Sequence, residues 1–227
     1  MAGPDGYLGG MRRTLAGLVL ALAACNGDSD TAPTTTTIAI QADTCLVRVH
    51  GRSESGAPAA MRDGYAELSP GGNGASGEGR QWVYFPEAKY TEARDIVTAA
   101  VDEAGCARVV LNGFSNGAAF VASMYCNGET FAGRLTGVVV DDPVPDEGSL
   151  DCAPADGVNA ALYWTGALTQ AEPGTDCDGI GWICEGGRVV GIDAYAASLG
   201  VAIQPSSNAT HTWYRDAPEL VAWLAPA

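Results

Sequence analysis

The chain reads as an α/β domain: a mostly parallel β-sheet flanked by helices in three α/β/α layers, compact and without a large lid. Three observations predict this. Strand-like and helix-like segments alternate from residue 44 to residue 224, an order that gives a parallel sheet with right-handed crossovers. A continuous apolar run at 108–112 is followed at once by a glycine-flanked turn and an apolar segment of helical length. Finally, 227 residues that are 47% hydrophobic suit one sizeable core, and 30 glycines and 12 prolines without a repeat unit exclude collagen-like and solenoid architectures.

Taken in order, residues 44–49 (TCLVRV) form a β-rich run ending at His50-Gly51, and residues 81–85 (QWVYF) form another, closed by Pro86. The intervening residues 52–80 are expected to be loop, because the glycine-dense stretch 70–77 holds no regular element. Residues 91–104 place Ala93, Ile96, Val97, Ala100, Val101 and Ala104 on one helical face, and Gly105 is placed to stop that helix. Strands are then expected at 108–112, 135–140, 160–165 and 200–204, and helices at 117–126, 189–199 and 218–224, the last with Pro218 at its start.

The N-terminus resembles an export signal. Arg12 and Arg13 precede a short apolar run, 14–21, too brief to span a bilayer as a mature helix, and Met11 reads as the start with 1–10 as an extension. The run ends in Leu22-Ala23-Ala24-Cys25, which resembles the lipobox of bacterial lipoproteins. The resemblance implies cleavage before Cys25 and lipidation of its thiol, so that residues 1–24 are signal peptide, 25–43 a lipidated, flexible tether, and 44–227 the domain. The expected protein is an extracytoplasmic lipoprotein on the cell membrane, or a secreted one, and it touches membrane only through that anchor.

Six further cysteines, Cys45, Cys106, Cys126, Cys152, Cys177 and Cys184, suit three disulfides in an exported chain, and no C-x-x-C pair suggests zinc or a redox dithiol. Joining neighbouring segments of the expected fold pairs Cys177 with Cys184, Cys126 with Cys152, and Cys45 with Cys106. The formal charge of −15, from 12 Lys and Arg against 27 Asp and Glu, repels phosphate backbones and argues against nucleic-acid binding.

The chemistry is expected at Gly113-Phe114-Ser115-Asn116-Gly117, a G-x-S-x-G match lying directly after a strand and before a helix. That setting exposes a serine on a strained turn, with the helix N-terminus presented to developing negative charge. With "VHG" at 49–51, "NGFSNGAAF" at 112–120 and a late histidine before a C-terminal helix, residues 44–224 resemble the α/β-hydrolase superfamily, more loosely its secreted esterase, feruloyl-esterase and polyhydroxybutyrate-depolymerase-like members.

The resemblance implies an esterase working through an acyl-enzyme on a small-molecule or polymeric ester, with Ser115 as nucleophile and His211 as base. His50, the one other histidine, belongs to a His-Gly turn whose following backbone helps form an oxyanion hole. Asn116 N–H and the N–H of Arg52 or Gly51 are the implied donors. The acid is less determined. The G-x-x-D pattern of many relatives is broken by Thr169, so Asp142, at a strand end before Pro143, is favoured, with Glu172, Asp176 and Asp141 as alternatives. The acidic stretch Asp141, Asp142, Asp146, Glu147 and Asp151 reads as solvated loop, with no metal assigned. No cofactor is expected, since the glycines at 71–79 lack the strand-to-helix setting of a dinucleotide site.

Tyr65, Trp164, Trp182, Trp213 and Tyr214 are candidate site-lining aromatics, the site is expected to be open and suited to short acyl groups, and a monomer is expected. Other readings of the same residues are a peptidase or thioesterase with this triad, and a non-catalytic cell-envelope binding lipoprotein on a hydrolase scaffold.

Overall fold

The computed structural model describes residues 42–166, 172–177 and 184–225. The expected signal peptide, Cys25 and nearly all of the tether lie outside these residues, as do Thr169 and Trp182.

Seven strands form one sheet: β1 (Thr44–Val49), β2 (Ala57–Arg62), β3 (Tyr65–Ser69), β6 (Arg108–Phe114), β7 (Leu135–Asp141), β8 (Asn159–Trp164) and β9 (Ile203–Pro205), in the order β2-β3-β1-β6-β7-β8-β9. All neighbours are parallel except the edge pair β2 and β3. A separate two-stranded ribbon joins β4 (Gly74–Ser76) to β5 (Gly79–Gln81). The helices are α1 (Glu87–Ala104), α2 (Asn116–Cys126), α3 (Ile192–Leu199) and α4 (Pro218–Leu224), with a 3-10 turn at Glu147–Ser149.

The central strands are buried on both faces, as parallel strands between helix layers must be. All six residues of β1 are buried. Its alternation assigns Cys45, Val47 and Val49 to the face covered by α1, α2 and α3, and Leu46 to the face where Ala217, Leu220 and Trp223 of the α4 region pack. Helix α1 is one-sided, with Ala93, Val97 and Val101 at four-residue spacing turned inward, and it ends where Gly105 takes φ 67 and returns its N–H to Val101 O. Helix α2 is buried along its whole length, which explains why its sequence is apolar all round.

The disulfides Cys45–Cys106, Cys126–Cys152 and Cys177–Cys184 pair as the sequence predicts. The first ties β1 to the end of α1, and the second ties the last residue of α2 to the loop before β8.

Several segments differ from expectation. Residues 52–80 are not all loop: they hold the β2–β3 hairpin, turned at Asp63-Gly64 with φ of 25 and 92, and the β4 strand inside the glycine-dense stretch. Only Gln81 of the expected 81–85 strand is in a strand. The Trp82 and Val83 backbones instead pair with the side chains of Asn116 and Asn73. Helix α1 begins a turn earlier, at Glu87, after Pro86. The late helix begins at Ile192, because Val189 bridges to Asp146 and is held away from helical geometry.

Of the acidic stretch, Glu147 and Asp151 are exposed as expected, but the other three carboxylates are not solvated. Asp141, Asp142 and Asp146 are fully buried. Asp146 accepts hydrogen bonds from Tyr84 Oη at 2.5 Å, Gly148 N at 3.1 Å and Gly186 N at 3.2 Å, which fix the loop after β7. Burial pushes its carboxyl up to about 6.

Candidate active site

The carboxyl ends of β1, β6, β7 and β8 converge on one edge of the sheet. Strand β6 delivers Ser115 at φ 55 and ψ −120, a sparsely populated conformation for a residue with a side chain. Two features hold it there: Ser115 N–H donates to Asp141 O at 3.0 Å, and the carbonyl of Ser115 begins the hydrogen bonding of α2. The flanking glycines are required by close backbone approach. A Cβ on Gly113 would lie 2.3 Å from Gly117 O, and one on Gly117 would lie 2.1 Å from Val49 O.

Asn116 occupies the first turn of α2, and its side chain is locked into the loop after β5. Its Oδ1 accepts from Trp82 N at 2.7 Å, and its Nδ2 donates to Trp82 O at 3.0 Å. The backbone of residue 116 is thereby oriented from both ends.

His50 is buried and fully engaged. Gly72 N donates to its Nε2 at 3.0 Å, so the ring proton sits on Nδ1, which donates to Gly51 O at 2.7 Å. Burial lowers its pKa, which keeps the ring neutral. His50 is thus a bracket for its own turn. Of the two early-loop donors expected, the Gly51 N–H is already taken, because it donates to Glu54 Oε2 at 2.8 Å.

His211 lies in the loop between β9 and α4. Its Nδ1 is 2.5 Å from Asp142 Oδ2, a buried carboxylate that also accepts from Thr165 N at 2.8 Å and Thr165 Oγ1 at 2.7 Å. Burial alone would raise the Asp142 pKa, but these hydrogen bonds and the facing imidazole outweigh it and hold the carboxyl below its ordinary value. Asp142 takes φ 50 immediately before Pro143. Phe114, next to Ser115, stacks on the imidazole with ring centres 4.6 Å apart, so His211 abuts the serine turn.

The other acids predicted as alternatives make no hydrogen bond to His211 among the described residues. Asp141 serves the same region differently: its Oδ2 accepts Tyr214 N at 2.6 Å, while Oδ1 is buried without a partner. Burial pushes its carboxyl up to about 7, against the Tyr214 hydrogen bond that pulls it down. Asp176 bridges to Arg188 and lines a shallow pocket with Phe85, Glu147 and Gly187. Glu172 is exposed, and its carbonyl accepts from Thr175.

Among the expected aromatics, Trp213 packs at the site, stacked on Phe114 at 5.1 Å. Tyr65 and Tyr214 instead belong to the core beneath α4. Two residues were not anticipated. Thr165 gives Asp142 two of its hydrogen bonds, and Asn208 donates to Thr212 O at 2.8 Å and Trp213 O at 3.0 Å, bracing the His211 loop. Neither has a motif, although Asn in a short loop before a functional residue is the type that caps backbone carbonyls.

Among the described residues no group of three or more His, Cys, Asp or Glu side chains could hold a metal ion, and no helix is long and apolar enough to cross a membrane.

No protein-family model matches the chain, and no curated protein matches its sequence. Among solved structures, similarity extends to a carboxylesterase from Bacillus cereus, at 17% identity and TM-score 0.49 over 75% of this chain and 82% of that one. A SOBER1 variant from Arabidopsis thaliana is similar at 17% identity and TM-score 0.46, over 81% and 97% of the two chains. The esterase Pf2001 from Pyrococcus furiosus is similar at 14% identity and TM-score 0.33, over 45% and 44%. The chain's own strand order gives a mostly parallel seven-stranded sheet with helices on both faces and a serine on the strand-to-helix turn.

Proposed function

We propose that this protein is a serine hydrolase that cleaves carboxylic esters through an acyl-enzyme, with Ser115 as nucleophile, His211 as base and Asp142 as the acid that orients it. The observation that supports this reading most directly is the 2.5 Å contact between His211 Nδ1 and Asp142 Oδ2, on a loop packed against the Ser115 turn.

The chemistry follows from that arrangement. Asp142 accepts a hydrogen bond from Nδ1–H, which keeps the proton on Nδ1 and leaves Nε2 of His211 as the base. As Ser115 Oγ attacks the ester carbonyl carbon, its proton passes to Nε2 and the carbonyl oxygen gains the negative charge. The first-turn N–H of Asn116 and the N–H of Arg52 are the donors for that oxyanion, Gly51 N–H being committed to Glu54. Collapse of the intermediate returns the proton to the leaving alcohol. Water then attacks the acyl-enzyme with His211 again as base, releasing the acid and restoring Ser115.

Three disulfides suit an extracytoplasmic protein. Anchoring through lipidated Cys25 belongs to this proposal, as does the removal of residues 1–24.

The test is labelling with a fluorophosphonate, which phosphonylates an activated serine with loss of fluoride. Wild-type protein should be labelled and should turn over a chromogenic short-chain ester, and S115A should do neither while keeping its melting temperature. Labelling that persists in S115A, or none in the folded wild type, ends the reading.

A further inference from the structure

Glu54 lies outside the residues that motif and fold assign, yet its carboxylate touches both loops on which the proposed chemistry depends. On one side, Oε2 accepts Gly51 N–H at 2.8 Å, and this closes the turn that follows His50. On the other, Oε1 and Oε2 both lie 3.1 Å from Trp213 Nε1, an indole two residues beyond His211 and 159 residues away along the chain.

Both ends of this bridge are braced. The Glu54 backbone is held to β5, where Arg80 N donates to Glu54 O at 2.7 Å and Ser53 N donates to Arg80 O at 2.9 Å. The Trp213 ring stacks on Phe114, and the guanidinium groups of Arg48 and Arg215 lie 5.6 and 5.3 Å from its centre. Its carbonyl is held by Asn208. The Glu54 carboxylate therefore spans two fixed points, where a moderate charge-assisted bond sets a geometry.

We propose that Glu54 is a positioning residue that sets the distance between the early-loop oxyanion donor and the His211 loop. The inference rests on the serine-hydrolase reading given above. Its chemical content is that both carboxylate oxygens face N–H donors, Oε2 the Gly51 N–H and the indole, Oε1 the indole. An ionised carboxylate serves both N–H donors, whereas glutamine turns an NH2 toward one of them and alanine serves neither.

The consequence falls on kcat. The oxyanion donor and the base act together only in the transition state, so a displacement between them lowers kcat and leaves KM nearly unchanged. Misplacements of this kind cost on the order of 10²-fold.

The experiment compares E54A, E54Q and W213F, which removes the indole N–H but keeps a ring, with the double variant E54A/W213F, by kcat, KM, fluorophosphonate labelling rate and melting temperature. The expected result is a kcat lowered about 10- to 100-fold in E54A and W213F with KM within twofold. The double variant should be no worse than the poorer single one, because both changes break one bridge. E54Q should fall between E54A and wild type, and it stands in for E54A if the alanine variant does not fold.

The positioning role is overturned if E54A, or E54Q in its place, keeps wild-type kcat and labelling rate, or if the E54A and W213F losses multiply. If instead the folded wild type itself is not labelled, the hydrolase reading fails and this inference falls with it. Labelling of the wild type thus separates the two failures.

Discussion

His211 and Asp142 are 69 residues apart in sequence and meet at 2.5 Å between Nδ1 and Oδ2. The meeting is possible because β7 and β8 are parallel neighbours, Asp141 lying opposite Tyr163, and the chain after β9 folds back across both strand ends. Thr165, at the end of β8, presents its N–H and hydroxyl to the same carboxylate, so Asp142 is immobilised before the imidazole arrives.

The first prediction follows from this contact. D142N offers His211 an amide in place of a carboxylate, which favours the wrong tautomer and fails to stabilise the imidazolium. Its kcat on a short-chain ester should fall about 10⁴-fold with KM little changed. The comparison variants E172Q and D176N should stay within a few-fold of wild type. Steady-state kinetics on the four proteins decides it, and a silent D142N would remove Asp142 from the mechanism.

The second concerns Asp141 and the pH dependence of stability. Native Asp141 keeps its proton up to about pH 7, whereas an unfolded aspartate loses it near pH 4. Between those values the folded state binds the extra proton, so stability falls as pH rises from about 4 to about 7 and then levels off. Asp142, His211 and Arg48 are the ionisable groups that face it.

D141N cannot ionise and lacks this decline. Urea denaturation at pH 4.5 and pH 8 should show the variant gaining on wild type by about 3 kcal/mol across that interval. The contribution of Asp146 is common to both proteins and cancels. Parallel stability profiles would mean that Asp141 is ionised in the native state throughout.

The third concerns the disulfides, which close loops of very different length. Cys45–Cys106 spans 61 residues and Cys177–Cys184 spans 7. In the chain-entropy account, removing the first by C45A/C106A should cost about 4 kcal/mol, and removing the second by C177A/C184A about 2 kcal/mol. Chemical denaturation gives both values. The reverse order would show that native packing, not loop closure, sets the contribution of each bridge.

Much of this architecture is legible in the sequence. Strands β1, β6, β7 and β8 are apolar runs because they are covered on both faces, and the G-x-S-x-G turn announces itself because both glycines face backbone at distances where no Cβ fits. The β2–β3 hairpin is hidden from the sequence for a physical reason. Residues 57–62 (APAAMR) form an exposed edge strand with no buried face to impose alternation, although Asp63-Gly64 is a strong hairpin signal by itself.

The burial of Asp141, Asp142 and Asp146 is hidden from the sequence for a related reason. A run of carboxylates looks solvated until the donors that bury it are known, and those donors, Thr165, Tyr214, Tyr84 and Gly186, are remote in sequence. Glu54 was invisible in the same way: nothing in GRSESG indicates that its partner lies beside His211.

Gly117 has a consequence for anyone who would alter what this protein acts on. Where α2 begins, the helix rests directly on the carbonyls of Val49 and His50, with hydrogen as its only spacer. The gap between the serine turn and the loop that starts at Gly51 is therefore a main-chain dimension, independent of the side chains displayed around it. Any residue larger than glycine at 117 would pry the two walls apart, whatever side chains are displayed around them.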